Sequence, residues 1–328
     1  MERIEPEDLH READAIEAAA LATEGVDRFC SGPDWGAAGH QAWDPALIPQ
    51  IWRGAGGYAA FLEETFGDRT VLTPFDRMWG YSCPLISGDP ATLAREFSEW
   101  AREPSAAWDL IFISGLHEAS ALWTQVVHAL YPHFTLSLGL TQHRWCAALQ
   151  GGIDGYLGRR SAKMRRELLR QERRAAEEGV QFERGAGSPG GIYERILAVE
   201  DRSWKADEET GLHIDEMRDF YRVLIPRLHA RDRLRVLFAR IGDIDVGYIL
   251  GGVAGDLYRG LQFSFDNAYR PLGLGNVLQL KELRSLCEEH YATYDLGIDI
   301  AYKARWADER VDTETLVVHR RMPEPEPE

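Results

Sequence analysis

The stretch from Arg270 to Gly275 constrains the fold of this chain strongly, because it lies between a strand-like and a helix-like segment. An apolar, aromatic run ends at Asp266, and a run with helical spacing of apolar residues begins near Asn276. Glycine lets the backbone approach a ligand closely, so successive N–H groups can point at an anion on the positive end of the following helix. Arg270 adds a positive charge. A six-residue pattern of this kind also occurs in plain strand-to-helix turns, so whether the loop binds an anion has to be judged from the neighbouring segments.

The segments around this loop follow one another in a definite order. Three strand-like segments precede it, at residues 235–240, 246–251 and 257–265. The run after the loop has apolar side chains at helical spacing, and a short strand-like segment follows at 293–297. The sequence therefore predicts the order strand, strand, strand, loop, helix, strand.

This order and the spacing Arg-x-x-Gly-x-Gly resemble the GNAT acyltransferases, in which the loop holds the diphosphate of coenzyme A. Residues 294–307 resemble the closing motif of the CelD/BioF-like acetyltransferases, relatives of the FemAB peptide-bridge ligases. Ser203-Trp204-Lys205 and the preceding basic helix are also similar to that family, so the likeness covers roughly residues 145–320. The resemblance implies an α/β fold of the tandem GNAT-like (FemAB) type, with two lobes of mixed, mostly antiparallel sheet flanked by helices.

Four regions are expected along the chain. Residues 1–80 are predicted to form a helical and irregular region, and residues 81–155 an incomplete N-terminal GNAT-like lobe. Residues 156–320 are predicted to form the C-terminal GNAT lobe with the acyl-CoA site, and residues 321–328 a disordered acidic tail of alternating Pro and Glu. A chain of 328 residues, 45% of them hydrophobic, is long enough to build two cores.

The N-terminal half carries weaker signals. Its predicted elements alternate as in an α/β lobe, with helices at 90–102 and 118–130 and strands at 110–113 and 134–138. The two long strands that the family has before Pro84 look shortened or replaced around residues 79–81. Because Arg-x-x-Gly-x-Gly does not occur in this half, we assign it to packing and acceptor binding.

Several classes of function are disfavoured by composition. The sequence has no apolar stretch near the ~20 residues that span a bilayer, and its start lacks the plan of a signal peptide, so we expect a cytoplasmic protein. The ten histidines show no metal-ligand spacing, so no metal is expected. The four cysteines are widely spaced and contain no Cys-x-x-Cys, which predicts buried, reduced thiols.

A basic segment from Arg159 to Arg174 contains eight Lys or Arg and two acidic residues, a charge of +6 in a chain of −16. As a helix it would bury Met164, Leu168 and Ala175, and carry on the other face Arg159, Lys163, Arg166, Arg170 and Arg174. This stripe is either a solvated surface or an anion-binding face for an anionic acceptor, an acyl-carrier protein or the cofactor's phosphates, with Arg166 and Arg170 as substrate-binding candidates. The strongly acidic remainder argues against DNA binding.

The resemblance also assigns roles to particular residues. The loop residues expected to bind the coenzyme A thioester are Arg270, Leu272, Gly273, Leu274, Gly275 and Asn276. Amine attack on a thioester needs a base, and Asp266 at the strand end is our first candidate, with a turn-capping aspartate as the alternative. Asp295 and Asp299 flank the facing strand, and one of them would orient the acceptor.

The segment from Tyr302 to Arg305 resembles the Tyr-x-Phe-Lys signature of the FemAB ligases, where a cation stabilises charge during acyl transfer. Ala304 replaces the aromatic residue, so either Lys303 or Arg305 is the counterpart. Tyr302 is a candidate proton donor to the departing thiolate. Trp204 and Lys205 are predicted to line the acceptor cleft.

These residues together predict an acyl-CoA-dependent N-acyltransferase that acts on a primary amine of a peptide, an amino sugar or a small metabolite, held in a cleft between the lobes. Acetyl is the default acyl group, and a longer chain from coenzyme A or from an acyl-carrier protein is the alternative. Two other functions stay open. One is aminoacyl transfer from charged tRNA in the FemAB manner, and the other is a non-catalytic accessory role in polysaccharide or natural-product biosynthesis.

Overall fold

The computed structural model describes residues 1–5, 8–76 and 78–320, so the predicted tail at 321–328 lies outside the described residues. The first strands and helices are β1 (Glu2–Ile4), α1 (Leu9–Ala22), α2 (Pro33–Trp43), β2 (Pro49–Arg53), β3 (Tyr58–Phe66), β4 (Arg69–Thr73), β5 (Leu85–Ile86), α3 (Pro90–Ala101), β6 (Leu110–Leu116), α4 (Ala121–Leu130) and β7 (Thr135–Leu138). The later ones are β8 (Gln142–Ala148), α5 (Gly152–Gly158), α6 (Ala162–Glu177), β9 (Gln181–Arg184), α7 (Pro189–Glu200), α8 (Trp204–Asp207), α9 (Asp215–Ala230), β10 (Leu234–Ile241), β11 (Ile244–Ala254), β12 (Leu257–Phe265), α10 (Leu274–Glu288), β13 (Thr293–Ile298) and β14 (Glu309–His319).

The chain forms two compact units. Unit 1 is Met1–Gln142 together with Asp312–Glu328, and unit 2 is His143–Val311. The predicted boundary between residues 155 and 156 falls inside α5, where it cannot separate two bodies, because Tyr156 is fully buried in the core of unit 2. The last strand also returns to unit 1, a long-range pairing that a local sequence pattern does not reveal.

Unit 1 contains a mixed sheet with the strand order β1-β2-β3-β4-β6-β14, in which β4 and β6 pair in parallel and the other neighbours in antiparallel fashion. Helices α3 and α4 cover one face. Their buried side chains, among them Phe97 and Val126, pack with Ile111 and Ile113 of β6. The predicted helices and strands of residues 90–138 are therefore present, each within a few residues of its expected ends.

The expectation of a helical and irregular region over residues 1–80 is wrong, because this region supplies four strands to the sheet of unit 1. The nine-residue strand β3 also replaces the shortened strands expected before Pro84. Four of its first five residues are buried, so the alternation that marks a half-exposed strand is missing there. Ala59 and Ala60 also have low strand propensity.

Unit 2 is built on a second mixed sheet with the order β8-β13-β12-β11-β10-β9. The predicted hairpin is confirmed, since β10 and β11 pair in antiparallel fashion from Leu234↔Gly252 to Ile241↔Ile244. Helices cover both faces of this sheet. Successive residues of a strand point to opposite faces, and in β11 Gly247 lies against α10 whereas Tyr248 donates a hydrogen bond to Glu200, the last residue of α7. The mixed α/β fold with helices flanking mostly antiparallel sheets is as predicted.

No helix in the described part of the chain is long and apolar enough to cross a membrane. Within the same residues, no group of three or more His, Cys, Asp or Glu could hold a metal ion. The cysteines are free thiols, of which Cys30, Cys83 and Cys146 are buried and Cys287 is half-buried.

Candidate functional site

The glycine loop forms a 3₁₀ turn, Asn267–Leu272, followed by α10. Gly273 is the N-cap of α10 with φ +68°, a left-handed conformation that favours glycine. Leu272 and Leu274 are buried and anchor the loop, whereas Arg270 is exposed. The helix begins at Leu274, two residues earlier than the sequence predicted, and this places Gly275 in its first turn.

The first turn of α10 offers backbone donors. Among the described residues, the N–H groups of Leu274 and Gly275 donate no hydrogen bond, as expected for the start of a helix. The helix is 15 residues long, so its dipole places partial positive charge at these donors. Together with the exposed Arg270, they form a site that favours an anion.

Both glycines of the loop are in close contact with neighbouring side chains. A Cβ atom on Gly273 would lie 2.6 Å from the Gln171 side chain of α6, and one on Gly275 would lie 3.0 Å from Phe263 Cε2. Asn276 Nδ2 donates to Gln171 Oε1 at 3.0 Å. A larger residue at either glycine would therefore displace the side chains that shape the loop.

The strand that leads into the loop has a partly unpaired edge. β12 pairs in parallel with β13 at only three described positions, Leu257↔Thr293, Tyr258↔Tyr294 and Arg259↔Asp295. β12 then continues to Phe265 while pairing on its other side with β11. Its remaining residues therefore present backbone N–H and C=O groups along an edge that ends at the anion site.

Lys303 lies in the 3₁₀ turn Ala301–Arg305 that follows β13. Its residue is 8% exposed, and its Nζ makes no hydrogen bond or ion pair with any residue that the structure describes. Burial lowers the pKa of Lys303 to about 8, although the charges of Asp295 and Asp299 oppose this shift. A buried amine with a lowered pKa and no partner is typical of reactive sites.

Asp295, at the base of this turn, is fully buried and fully engaged. Its Oδ2 lies 2.8 Å from Arg259 Nη2 and 3.1 Å from Arg144 Nε, and its Oδ1 accepts a hydrogen bond from the N–H of Gly297 at 2.8 Å. Asp295 therefore fixes the end of β13 and is not available to a substrate.

Tyr302 and Arg305 of the closing turn have different neighbours. The ring centroid of Tyr302 lies 6.1 Å from that of Phe263, which also lies against Gly275. Tyr302 is 40% exposed, and desolvation by burial raises the pKa of its hydroxyl group to about 12. Arg305 Nη2 lies 3.7 Å from Glu167 Oε2 on α6. The structure thus brings Tyr302 to the loop through Phe263 and places Arg305 against α6.

The two candidate carboxylates have different surroundings. Asp266 Oδ1 accepts from the N–H of Ala268 at 2.9 Å, and its Oδ2 lies 2.8 Å from Arg202 Nε, contacts that suit the turn-capping alternative. Asp299 is exposed, and its Oδ1 accepts from Trp145 Nε1 at 2.6 Å. Within the described residues, Asp299 Oδ2 makes no hydrogen bond, so Asp299 keeps an oxygen for a ligand.

Lys205 is buried and does not line an exposed surface. Its Nζ donates to Glu200 Oε1 at 3.0 Å and to Gln262 Oε1 on β12 at 2.8 Å. Tyr248 Oη also donates to Glu200 Oε1, and burial lowers the pKa of Lys205 while Glu200 opposes the shift. Trp204, beside it in α8, is half-buried.

Glu200 escaped prediction from the sequence. It is fully buried at the end of α7, and its Oε2 atom has no hydrogen-bond partner in the described structure. One sequence feature could have indicated its burial: Glu200 continues the apolar face of a predicted helix. The other residues of this face, Ile192, Ile196 and Val199, are buried as well.

Most of the basic stripe lies on α6, with Met164, Leu168 and Ala175 buried as predicted. Arg159 is not part of it, because it lies at the C-terminal end of α5 and its Nε is 3.1 Å from Asp308 Oδ1. Arg166 and Arg170 are exposed. At the end of the stripe, Arg174 Nη1 donates to the Pro271 carbonyl at 3.1 Å, so the exposed cations run up to the glycine loop.

Comparisons with known proteins agree with this geometry. Residues 162–305 match the model of the acetyltransferase (GNAT) domain. The solved structure of FemX is similar with a TM-score of 0.66 at 12% identity, over 96% of this chain and 97% of that one. A conserved protein of unknown function from Bacteroides thetaiotaomicron gives 0.65 at 12% identity over 94% and 97%, and L-PGS from Bacillus licheniformis gives 0.57 at 13% over 99% and 95%. At these identities the likeness shows a shared fold. No curated protein matches the chain.

Proposed function

We propose that this chain, whose residues 162–305 carry a GNAT acetyltransferase domain, is an N-acyltransferase that moves an acyl group from a coenzyme A thioester to a primary amine. One observation carries the proposal. The unpaired edge of β12 leads directly to two free N–H groups at the start of α10, next to the exposed Arg270. An elongated ligand with amides along its length and a diphosphate at one end matches this arrangement.

In the proposed complex, the diphosphate accepts hydrogen bonds from the N–H groups of Leu274 and Gly275, and Arg270 neutralises part of its charge. The amides of the pantetheine arm pair with the free edge of β12 beyond Arg259. The thioester then lies where β12 and β13 separate. Backbone N–H groups of this edge stabilise the oxyanion that forms during the reaction.

The chemistry is direct transfer. The neutral amine attacks the thioester carbon, a C–N bond forms, the C–S bond breaks, and the coenzyme leaves as a thiolate that takes up a proton. Tyr302, with its pKa of about 12, holds a proton at neutral pH and can donate it to the thiolate. Lys303, with or without Arg305, stabilises the negative charge that develops during transfer.

A carboxylate must receive the proton that the amine loses. We propose Asp299, because its Oδ2 is free among the described residues, whereas both oxygens of Asp266 are engaged. Asp266 then shapes the start of the loop. Glu200 and Lys205, on the face of β12 opposite α10, hold Gln262 in place beside the proposed acyl site.

The test is a calorimetric titration of the chain with coenzyme A, acetyl-CoA and a long-chain acyl-CoA at identical salt. We expect saturable binding, and the ranking of the three ligands gives the acyl class. The double variant Gly273→Val/Gly275→Val should lose binding, whereas Gly242→Val, at an open hairpin turn, tests whether glycine replacement alone has this effect. Unchanged affinity of the double variant would show that the loop is only a turn.

Aminoacyl transfer from charged tRNA is the second candidate, favoured by the fold likeness to FemX over 96% of the chain. A transfer assay with a labelled amino acid on tRNA distinguishes the two donors. If the amino acid is transferred and no coenzyme A ligand binds, aminoacyl transfer is the function and the first proposal is wrong. Neither binding nor transfer would favour the accessory role. An acyl-carrier protein is the alternative acyl donor, with the α6 stripe as its docking face.

A further inference from the structure

Unit 1 contains a cavity of ≈ 710 Å³ that the proposed transferase chemistry does not use. It lies on the sheet face opposite α3 and α4. Val71 of β4 and Leu110 and Phe112 of β6 point into it, whereas their neighbours Leu72 and Ile111 point into the helix-covered core. This volume is in the range of small-molecule sites, which are typically mostly apolar with a few polar groups.

One wall of the unit 1 cavity is a loop that a single carboxylate holds in place. Asp76 Oδ1 accepts hydrogen bonds from the N–H groups of Met78 and Trp79, and its Oδ2 accepts from those of Tyr81 and Ser82, at 2.8 to 3.2 Å. Four backbone donors satisfy this carboxylate, so Asp76 defines the shape of the wall and is not available to a ligand.

The other charged residue of the lining is Arg69, at the rim. It is exposed and forms no ion pair with the residues that the structure describes. Phe66 pairs with Arg69 across the β3–β4 turn and lines the cavity at 62% exposure. Leu140 also lines the cavity, at 75% exposure, but lies toward the opposite end of β6, because Leu138 and Ile113 share the partner Leu316 on β14. Exposed apolar side chains that line a cavity beside an unpaired cation are typical of a binding site for an amphipathic molecule.

We propose that the unit 1 cavity binds a single apolar chain with an anionic head group, in the manner of a fatty acid. The chain lies on the apolar sheet face at Val71, Leu110 and Phe112, and the head group pairs with Arg69. Phe66 covers the part of the chain next to the head group, and Leu140 contacts the part farther from it. The proposal does not rest on the transferase function, because such a ligand needs neither a thioester nor an amine.

The first test is calorimetric titration of the full chain with octanoate, decanoate and dodecanoate below their micellar concentrations. We expect saturable one-to-one binding whose affinity rises about fourfold with each added methylene. Dodecanol, with the same chain and no charge, should bind more weakly. Absence of saturable dodecanoate binding, or binding only to phosphatidylglycerol vesicles, would overturn the proposal.

Variants locate the site. Arg69→Ala should weaken dodecanoate binding about tenfold and leave dodecanol binding unchanged, the effect of losing one hydrogen bond to a charged group. Arg95→Ala, an exposed arginine of α3, is the matched control. Leu110→Trp should abolish binding by filling the cavity, and Leu138→Trp on the exposed strand β7 should not.

Because Leu110 is partly buried, Leu140→Asp provides a second variant at a highly exposed position, where folding is not at risk. A charged group in place of this apolar side chain should weaken the binding of dodecanoate and of dodecanol alike, at least fivefold, with Leu138→Asp as the control. Wild-type affinity in Leu140→Asp and in a folded Leu110→Trp would show that the ligand binds elsewhere.

Discussion

Two buried lysines of unit 2, Lys205 and Lys303, occupy similarly dry surroundings and differ in their partners. Burial lowers the pKa of both amines. Lys205 Nζ lies 3.0 Å from Glu200 Oε1, whereas Lys303 Nζ makes no ion pair among the residues described. Lys205 and its carboxylate therefore form a structural ion pair. Lys303 has no counter-ion, so burying its charge costs free energy, and a role in function would explain why such a residue is present.

Removing Glu200 should give the largest effect on stability. Glu200→Ala leaves the Lys205 ammonium buried without its carboxylate, and breaking such a pair destabilises a protein by about 3–5 kcal/mol. Urea unfolding followed by circular dichroism measures the free energy. Glu194→Ala, on the exposed side of the same helix, should change it by less than about 0.5 kcal/mol. Equal effects of the two substitutions would mean that Lys205 is not paired in solution.

Replacing Lys303 should lower activity without lowering stability, unlike the replacement of Glu200. Lys303→Met removes a buried amine that has no partner, so the free energy of unfolding should stay the same or rise. If Lys303 stabilises charge in the transition state, release of free thiol from the bound acyl-CoA, with a panel of primary amines, should fall about 10²–10³-fold. Lys281→Met, on the partly exposed side of α10, should stay within twofold. Full turnover in Lys303→Met would remove Lys303 from the mechanism.

The pH dependence of stability sharpens the same comparison. The folded pKa of Lys303, about 8, lies below its ordinary value of 10.5, so between these pH values the unfolded chain binds more protons at this position. Stability contributed by this residue is therefore present above pH 10.5 and lost as the pH falls through about 8. The unfolding free energy of the wild type, relative to Lys303→Met, should rise by about 3 kcal/mol across this window. A difference that does not change with pH would show that Lys303 is not buried.

The glycine loop could be predicted because its determinants are local. A strand, two glycines and a helix follow one another within a few residues, and the conformation of Gly273 depends mainly on its own missing side chain. The hairpin of β10 and β11 was predictable for the same reason. The fold class followed from the family resemblance that this order and the loop carry, and the structure confirms it.

What the sequence did not reveal depends on contacts between distant segments. Lys205, which we expected to line the acceptor cleft, is buried, because its Nζ donates to nearby Glu200 and to Gln262 more than fifty residues away. The strand β3 was missed because burial on both faces removes its alternation. The boundary near residue 155 was misplaced because β8 pairs with β13, far along the chain, and so belongs to unit 2. The end of unit 2 was misplaced because β14 pairs with β6 of unit 1.

Arg166 and Arg170 on α6 are exposed to solvent, whereas both lysines are buried. Solvent screens such charges, so their effect should be small and salt-dependent. Arg166→Ala/Arg170→Ala should weaken binding of an anionic partner, acyl-CoA or an acyl-carrier protein, by about three- to tenfold at low ionic strength and by less than twofold at 0.5 M salt. The matched control is Arg222→Ala/Arg227→Ala, two exposed arginines of α9. A loss that persists at high salt would mean direct contacts in a desolvated site, and no loss at low salt would leave the stripe as plain surface.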